Sequence, residues 1–394
     1  MKFDKISFAK ELKEHFGSKI LLFWEGLKDD EFGGFYGLLD IDLKLDKKAI
    51  KGCILNSRIL WFFSNAYLEG YGDDTLLYAD HAFDFLKRFC VDKQYGGLYW
   101  SLSYDGKPYD TIKHTYNQAF ALYALSSYYD ATKNEEALKL AYQIYNIIRN
   151  KCKDSIGYLE AFTGDWEPSN NDKLSENGVI AEKTMNTHLH VFEAYTELYR
   201  VTKDEEVATS LRSILDMFSA KIYNPQLRRQ EVFFDREFKS IIDIHSYGHD
   251  IETCWLIDRG TKILGDKTYI ESMNIITNAL ARGTFQVAFD GHSLMAESDK
   301  GVVNTLRIWW VQCEAMIGFY NEYQKSGQEE YADAAYDIWR YILAYLDDKR
   351  EGSEWYSEVD EEGNPSIGKP IVELWKCPYH NGRMFFEMIR RLSI

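Results

Sequence analysis

The groups able to move protons near neutral pH are nine histidines, and their spacing sorts them. His188 and His190 stand two apart, so on a helix they face different ways and cannot chelate one ion. His245 and His249 stand four apart, which suits zinc on a helix, but Gly248 argues against continuous helix through them and no HExxH occurs. No metal is expected. His249 and Glu252, three apart, share a helix face, either as a surface pair or as a carboxylate orienting an imidazole. Arg58 lies in an apolar run, where a guanidinium needs an anionic or polar partner, as a structural salt bridge or as a binding group. Of Trp309 and Trp310, one can pack while its neighbour faces a cavity. A single histidine is more often structural than functional, so weight comes only from convergence.

The elements that must position these residues come from a repeat. Segments 135–148, 205–218 and 329–346 share apolar residues at helical spacing, as in Ala137, Ala141, Ile144 and Ile148. Each follows a short turn, Thr132-Lys133-Asn134, Thr202-Lys203-Asp204 or Ser326-Gly327-Gln328, and Gly70-Tyr71-Gly72-Asp73 and Leu264-Gly265-Asp266 look like further copies. The pattern predicts twelve helices, near 6–24, 57–69, 74–90, 114–131, 135–150, 184–201, 205–220, 250–264, 267–282, 305–325, 329–347 and 379–392. Short turns follow the even helices and long connections the odd ones. The long ones carry Gly-aromatic patches such as Tyr95-Gly96-Gly97-Leu98-Tyr99-Trp100 and alternation that suits small hairpins. Even helices are apolar nearly all round, as in Ile59-Leu60-Trp61-Phe62-Phe63, and odd ones have a polar face. Six inner and six outer helices then close an all-α (α/α)6 barrel, with long loops and small β-hairpins gathered where the inner helices begin.

The unusual polar residues fall at those beginnings: Arg58; His114, Tyr116 and Asn117; Asn186 and His190; His249 and Glu252; Trp309 and Trp310; His380 and Asn381. Six separate regions converge on one mouth, the strongest argument for a site. His15 and His81 sit on outer helices and read as solvated. No linker of changed composition interrupts the chain, so residues 1–394 read as one domain.

Composition narrows the classes. The 45% hydrophobic content and six prolines exclude disorder and collagen-like structure. A net charge of -16 makes nucleic acid an unsuitable partner. No apolar run is long enough to span a bilayer, Met1–Lys5 opens no signal-peptide core, and the six cysteines are scattered. The expectation is a cytoplasmic monomer with reduced thiols. Aromatic residues make up 15% of the chain, which suits sugars and also fills cores.

Four stretches carry a family resemblance: Ile54-Leu55-Asn56-Ser57-Arg58-Ile59-Leu60-Trp61, Lys183-Thr184-Met185-Asn186-Thr187-His188-Leu189-His190, Ser246-Tyr247-Gly248-His249-Asp250-Ile251-Glu252, and Trp375-Lys376-Cys377-Pro378-Tyr379-His380-Asn381-Gly382-Arg383-Met384. They resemble the signature stretches of the cellobiose 2-epimerases, within the N-acylglucosamine 2-epimerase family, nearly end to end. The resemblance implies an (α/α)6 barrel and cofactor-free epimerisation at C2 of the reducing-end glucose of cellobiose, lactose and related β-1,4-linked disaccharides. It implies His249 and His380 as acid/base pair and His190 as a third active-site histidine. Arg58, Asn186 and Glu252 match residues that hold sugar oxygens or orient the histidines, and Tyr116, Trp310 and Trp375 match sugar-contacting aromatics. The chemistry agrees. Inverting C2 needs the open-chain aldehyde, removal of an acidified proton, and return of a proton to the other face of a cis-enediolate. Alternatives are an aldose–ketose isomerase, a monosaccharide 2-epimerase, and a non-enzymatic sugar-binding toroid. A glycoside hydrolase would need two carboxylates flanking the bond.

Overall fold

The computed structural model describes residues 1–174 and 178–393. Among these residues twelve principal helices alternate between two layers, as the sequence predicts. The outer helices are α1 (Lys5–His15), α3 (Asp74–Phe85), α5 (Glu135–Ile147), α7 (Glu205–Met217), α9 (Lys267–Ala288) and α11 (Glu329–Tyr341). The inner ones are α2 (Cys53–Leu68), α4 (Thr115–Thr132), α6 (Met185–Thr202), α8 (Tyr247–Leu264), α10 (Trp309–Ser326) and α12 (His380–Leu392). Inner helices pack in sequence and α12 returns to α2, which closes an (α/α)6 barrel around one continuous core. The layers follow from amphipathicity. Helix α4 is buried over its first fourteen residues, Thr115 to Tyr128, whereas α5 buries only Ala137, Leu140, Ala141, Ile144 and Tyr145.

Short turns behave as capping chemistry requires. Lys133, Lys203, Gly265 and Gly327 end inner helices in the left-handed region, and Asn134, Asp204 and Asp266 then accept backbone N–H bonds as N-caps of the next outer helix. Several boundaries move. Helix α8 begins at Tyr247, so Gly248 lies inside its first turn while His245 lies in the strand Ile244–Ser246. Helix α10 starts at Trp309, because Arg307–Ile308 pairs as a strand with Glu358–Val359. Helix α2 starts four residues early, at Cys53. Outer helices α3, α5, α7 and α11 end in π-helical turns: Leu86–Cys90, Ile148–Cys152, Phe218–Ile222 and Ile342–Leu346. His15 and His81 are half-buried rather than fully solvated. The first sits among Trp339, Trp355 and Phe385, accepting from Trp355 Nε1 at 3.1 Å, and the second bonds the Gly34 carbonyl at 2.9 Å. Each lies on the side of its outer helix that packs inward.

Short strands lace the mouth, each segment before an inner helix pairing with the hairpin of the next repeat: Lys51 with Leu102, Lys113 with Phe162, Thr184 with Phe233, His245 with Ser298, Arg307 with Val359. The bridge of Leu39 to Val372 closes the circle. A buried clasp recurs at each entry. Lys51, Lys113, Lys183 and Arg307 stand two residues before their helices and pair with Asp29, Asp92, Asp154 and Asp290 just past the preceding outer helix. Lys376 pairs with Glu354 before α12. In the fourth repeat His245 takes the cation's place and turns to Asp250, at 2.9 Å.

Five residues after the cation, a side chain bonds the loop behind. Asn56 takes the N–H of Phe35, Gln118 both backbone groups of Leu98, His188 the N–H of Tyr158, Asp250 the N–H of Gln230, and Gln312 both groups of Leu294, while Asn381 donates to Glu354. The loop approaches closely at Gly97, φ +72°, where a Cβ would stand 2.9 Å from the Gln118 amide oxygen. With position five turned to the loop, helical geometry turns positions three, four and seven toward the barrel axis.

Candidate active site

Those three positions carry the site. Tyr116, Asn186 and Trp310 occupy the third, His249 and His380 the fourth, and Arg58, His190, Glu252, Glu314 and Arg383 the seventh. All nine residues expected from the sequence (Arg58, Tyr116, Asn186, His190, His249, Glu252, Trp310, Trp375 and His380) line one cavity of about 630 Å³ at the mouth. His188, at position five, does not reach it. Its ring is fully buried between the Thr184 carbonyl and the Tyr158 N–H.

The three lumen histidines differ in what holds them. His190 Nδ1 bonds Glu193 at 2.8 Å and His380 Nδ1 bonds Glu314 at 2.7 Å, so each ring is oriented through Nδ1 by a carboxylate. His249 Nδ1 bonds the neutral hydroxyl of Ser246 at 2.7 Å. Glu252 therefore does not orient His249. Its Oε1 binds Arg383 and lies 3.9 Å from both His190 Nε2 and His380 Nδ1, while Oε2 has no hydrogen-bond partner. The cause is position: Glu252 at the seventh place looks across the lumen, not along its own helix. Burial lowers the His249 pKa, with His190 adding to the effect, to about 3. Burial also takes His380 well below the usual imidazole value, and Arg383 and Arg58 add to it.

Arg383 is the hub beneath them. Its guanidinium binds Glu193, Glu252 and Glu314 and stacks on Tyr379 and Trp255. Burial alone would raise Glu193, but Arg383 and the bonds from His190 and Tyr379 outweigh it and hold the carboxyl at about 2. Glu252 goes the other way. Burial, and then Glu314, raise it to about 7, so it carries a proton much of the time at neutral pH. Glu252, Glu314 and His380 bring ligand atoms close enough together for a cation, but the Arg383 guanidinium already bonds both carboxylates. Glu193, Glu314 and Arg383 escape sequence reasoning as a unit, because Arg383 is 190 residues from Glu193 and 69 from Glu314. Each is one charge among several on its helix, as Arg383 is beside Glu387, Arg390 and Arg391 on α12, so none stands out in sequence.

Arg58 is not in a structural salt bridge. Among the described residues no carboxylate pairs with it. It donates to Tyr116 Oη at 2.8 Å and to Cys377 Sγ at 3.6 Å, lies 4.0 Å from the Phe120 ring centre, and leaves Nε without a partner. A buried cation caged by rings and sulfur attracts an incoming oxyanion. Trp309 packs, being 4% exposed, while Trp310 is half-buried and spans His249 (4.9 Å) and His380 (5.3 Å) between ring centres. Gly248 makes room for that ring, since a Cβ there would stand 2.5 Å from it. Trp375 lies on the cavity wall beside Trp100 and Tyr116.

The sequence model of the N-acylglucosamine 2-epimerase (GlcNAc 2-epimerase) family matches residues 34–380. The chain belongs to this family. It is 50% identical to a cellobiose 2-epimerase from Eubacterium cellulosolvens over 94% of this chain and 96% of the relative. It is 48% identical to one from Ruminococcus albus, over 97% and 98%. The crystal structure of a sugar epimerase from a ruminal bacterium superposes with a TM-score of 0.96 at 48% identity, covering 98% of this chain and 99% of that one. The (α/α)6 barrel of this epimerase family is thus common to the fold and to the matched relatives.

Proposed function

We propose that the chain epimerises the reducing-end glucose of cellobiose and related β-1,4-linked disaccharides at C2, without metal or redox cofactor, as one domain over residues 1–394. The observation that carries this reading is the pair His249 and His380, whose rings flank Trp310 and whose Nδ1 atoms are both engaged by residues of the wall. Each Nε2 is thereby left for a substrate carbon set against the indole. In the open-chain sugar one histidine removes the C2 proton and the other returns one to the opposite face after rotation about C2–C3. Arg58, backed by Tyr116, stabilises the enediolate oxygen. His190 supports ring opening. Asn186, whose side-chain oxygen has no partner, and Glu252 hold sugar hydroxyls, and Trp375 supplies a flat apolar face. The names of the relatives support cellobiose as the substrate class. The carboxylates beneath the histidines, Glu193, Glu252 and Glu314, all bind Arg383, which speaks against their use as the acid and base of a hydrolase.

The test is incubation with cellobiose in heavy water. A mannose-terminated disaccharide with deuterium at C2 is expected. A ketose as the main product would make this an isomerase, glucose a hydrolase, and no change a binding protein. His249→Asn and His380→Asn should each slow epimerisation by roughly 10²–10⁴-fold. If one face survives, a variant should still exchange the C2 hydrogen of one epimer without inversion. Near-normal rates in both variants would remove the pair from the mechanism.

A further inference from the structure

Ser246 occupies the N-cap of α8, where a serine ordinarily turns its oxygen onto the N–H groups of the first helical turn. It makes no such cap bond. Thr184, at the same place before α6, does cap, accepting the N–H of Thr187 at 3.0 Å. Ser246 instead bonds His249 Nδ1 at 2.7 Å, and both residues line the cavity. A side chain diverted from its ordinary local role, beside a reacting group, needs a reason in the chemistry.

The three lumen histidines supply that reason. His190 and His380 are each oriented through Nδ1 by a carboxylate, Glu193 and Glu314. A hydroxyl is neutral. It can accept from Nδ1–H and so hold the ring with its Nε2 lone pair free, without holding the ring protonated. The other titratable groups around His249 do not take over this task. His190 comes from α6 and His380 from α12, Glu252 one turn along α8 binds Arg383, Asp250 is engaged by His245 and Gln230, α10 sets Trp310 against the ring while its Glu314 bonds His380, and Glu297 pairs with Ser246 through the backbone of the neighbouring strand.

We infer that Ser246 is a positioning residue for the epimerisation, holding His249 in the Nδ1–H tautomer with Nε2 free to act as an uncharged base. This rests on the reading of His249 as half of the acid/base pair. It adds an asymmetry: His249 is oriented by a neutral hydroxyl, whereas its partner His380 is oriented by a carboxylate.

The experiment compares three variants of the full chain by pH–rate profile, with thermal unfolding alongside. Ser246→Ala should lower kcat at least tenfold with KM changed less than twofold and the melting temperature unchanged, since no cap bond is lost. Ser246→Thr keeps the hydroxyl and should recover most of the rate. Ser246→Asp gives His249 a carboxylate partner like the other two, and should move the acid limb of kcat/KM upward by one pH unit or more. A wild-type profile in Ser246→Ala, or an unmoved acid limb in an active Ser246→Asp, would overturn the inference. His249→Asn separates the two readings. If it is inactive while Ser246→Ala is normal, the role of Ser246 alone fails; if it is active, the histidine pair fails first.

Discussion

Around the mouth, an outer ring of clasps repeats nearly the same chemistry in five of the six repeats, whereas the inner ring repeats only its geometry. Lys51–Asp29, Lys113–Asp92 and Lys183–Asp154 are interchangeable in kind, and so are the loop-binding amides Asn56, Gln118 and Gln312. The lumen positions hold arginine, tyrosine, asparagine, tryptophan, histidine and glutamate with no two repeats alike. What recurs builds the entry of each helix; what differs faces the sugar. His188 and His190, two residues apart, fall on opposite sides of this division.

The division breaks most severely at Arg383, the one lumen residue that ties three helices together. Arg383→Met leaves Glu193, Glu252 and Glu314 buried around an uncharged side chain. Removing one partner of a buried pair costs about 3–5 kcal/mol. Activity should fall below detection, and the urea midpoint should drop as well. A variant that loses activity with an unchanged midpoint would show that the carboxylates simply take up protons.

The outer ring should affect stability alone. In Lys51→Met, Asp29 keeps its bonds from the Glu31 and Phe32 N–H groups but loses its buried cation. The expected loss is about 3–5 kcal/mol in urea unfolding, with kcat per folded molecule unchanged. A lower kcat in fully folded protein would show that clasp and lumen are coupled. The converse applies to His190→Asn. Its ring packs against Tyr116 and bonds Glu193, so kcat should fall by about 10²-fold, the lower range for a positioned acid or base, while the melting temperature moves little.

The layers of the barrel were legible in the sequence because amphipathicity is a local signal. The α4 run is apolar all round and α5 in one stripe, whatever else the chain does. Trp375, five residues before α12, came from the family resemblance, and the other eight of the nine lumen residues were legible because they lie in the first turns of inner helices. Their second partners were not. Glu314 lies 66 residues from His380, and Ser246 looks in sequence like an ordinary helix cap. The π-helical ends of the outer helices were hidden too, since one residue more per turn hardly alters an apolar stripe.

The smallest expected effect is the sharpest test of the division. His188 holds a place filled by glutamine in two other repeats, Gln118 and Gln312. His188→Gln should therefore still accept the Tyr158 N–H, give up the Nδ1 bond to the Thr184 carbonyl and the ring contacts with Phe238 and Tyr158, and cost no more than about 1 kcal/mol at pH 7.5. Activity should stay within about twofold, because His188 does not reach the cavity. Acid is where the two side chains part. Burial lowers the His188 pKa from 6.5 to about 4, so the unfolded chain binds the proton first. Its contribution is complete above pH 6.5 and is lost as pH falls toward 4, on the order of 3 kcal/mol in all. His114, also lowered to about 4 by burial, behaves alike and remains in the variant. The wild-type midpoint should thus fall between pH 7.5 and 5 more steeply than that of His188→Gln. Equal slopes would mean that His188 is already protonated in the fold, and an inactive but folded variant would place position five in the machinery of the lumen.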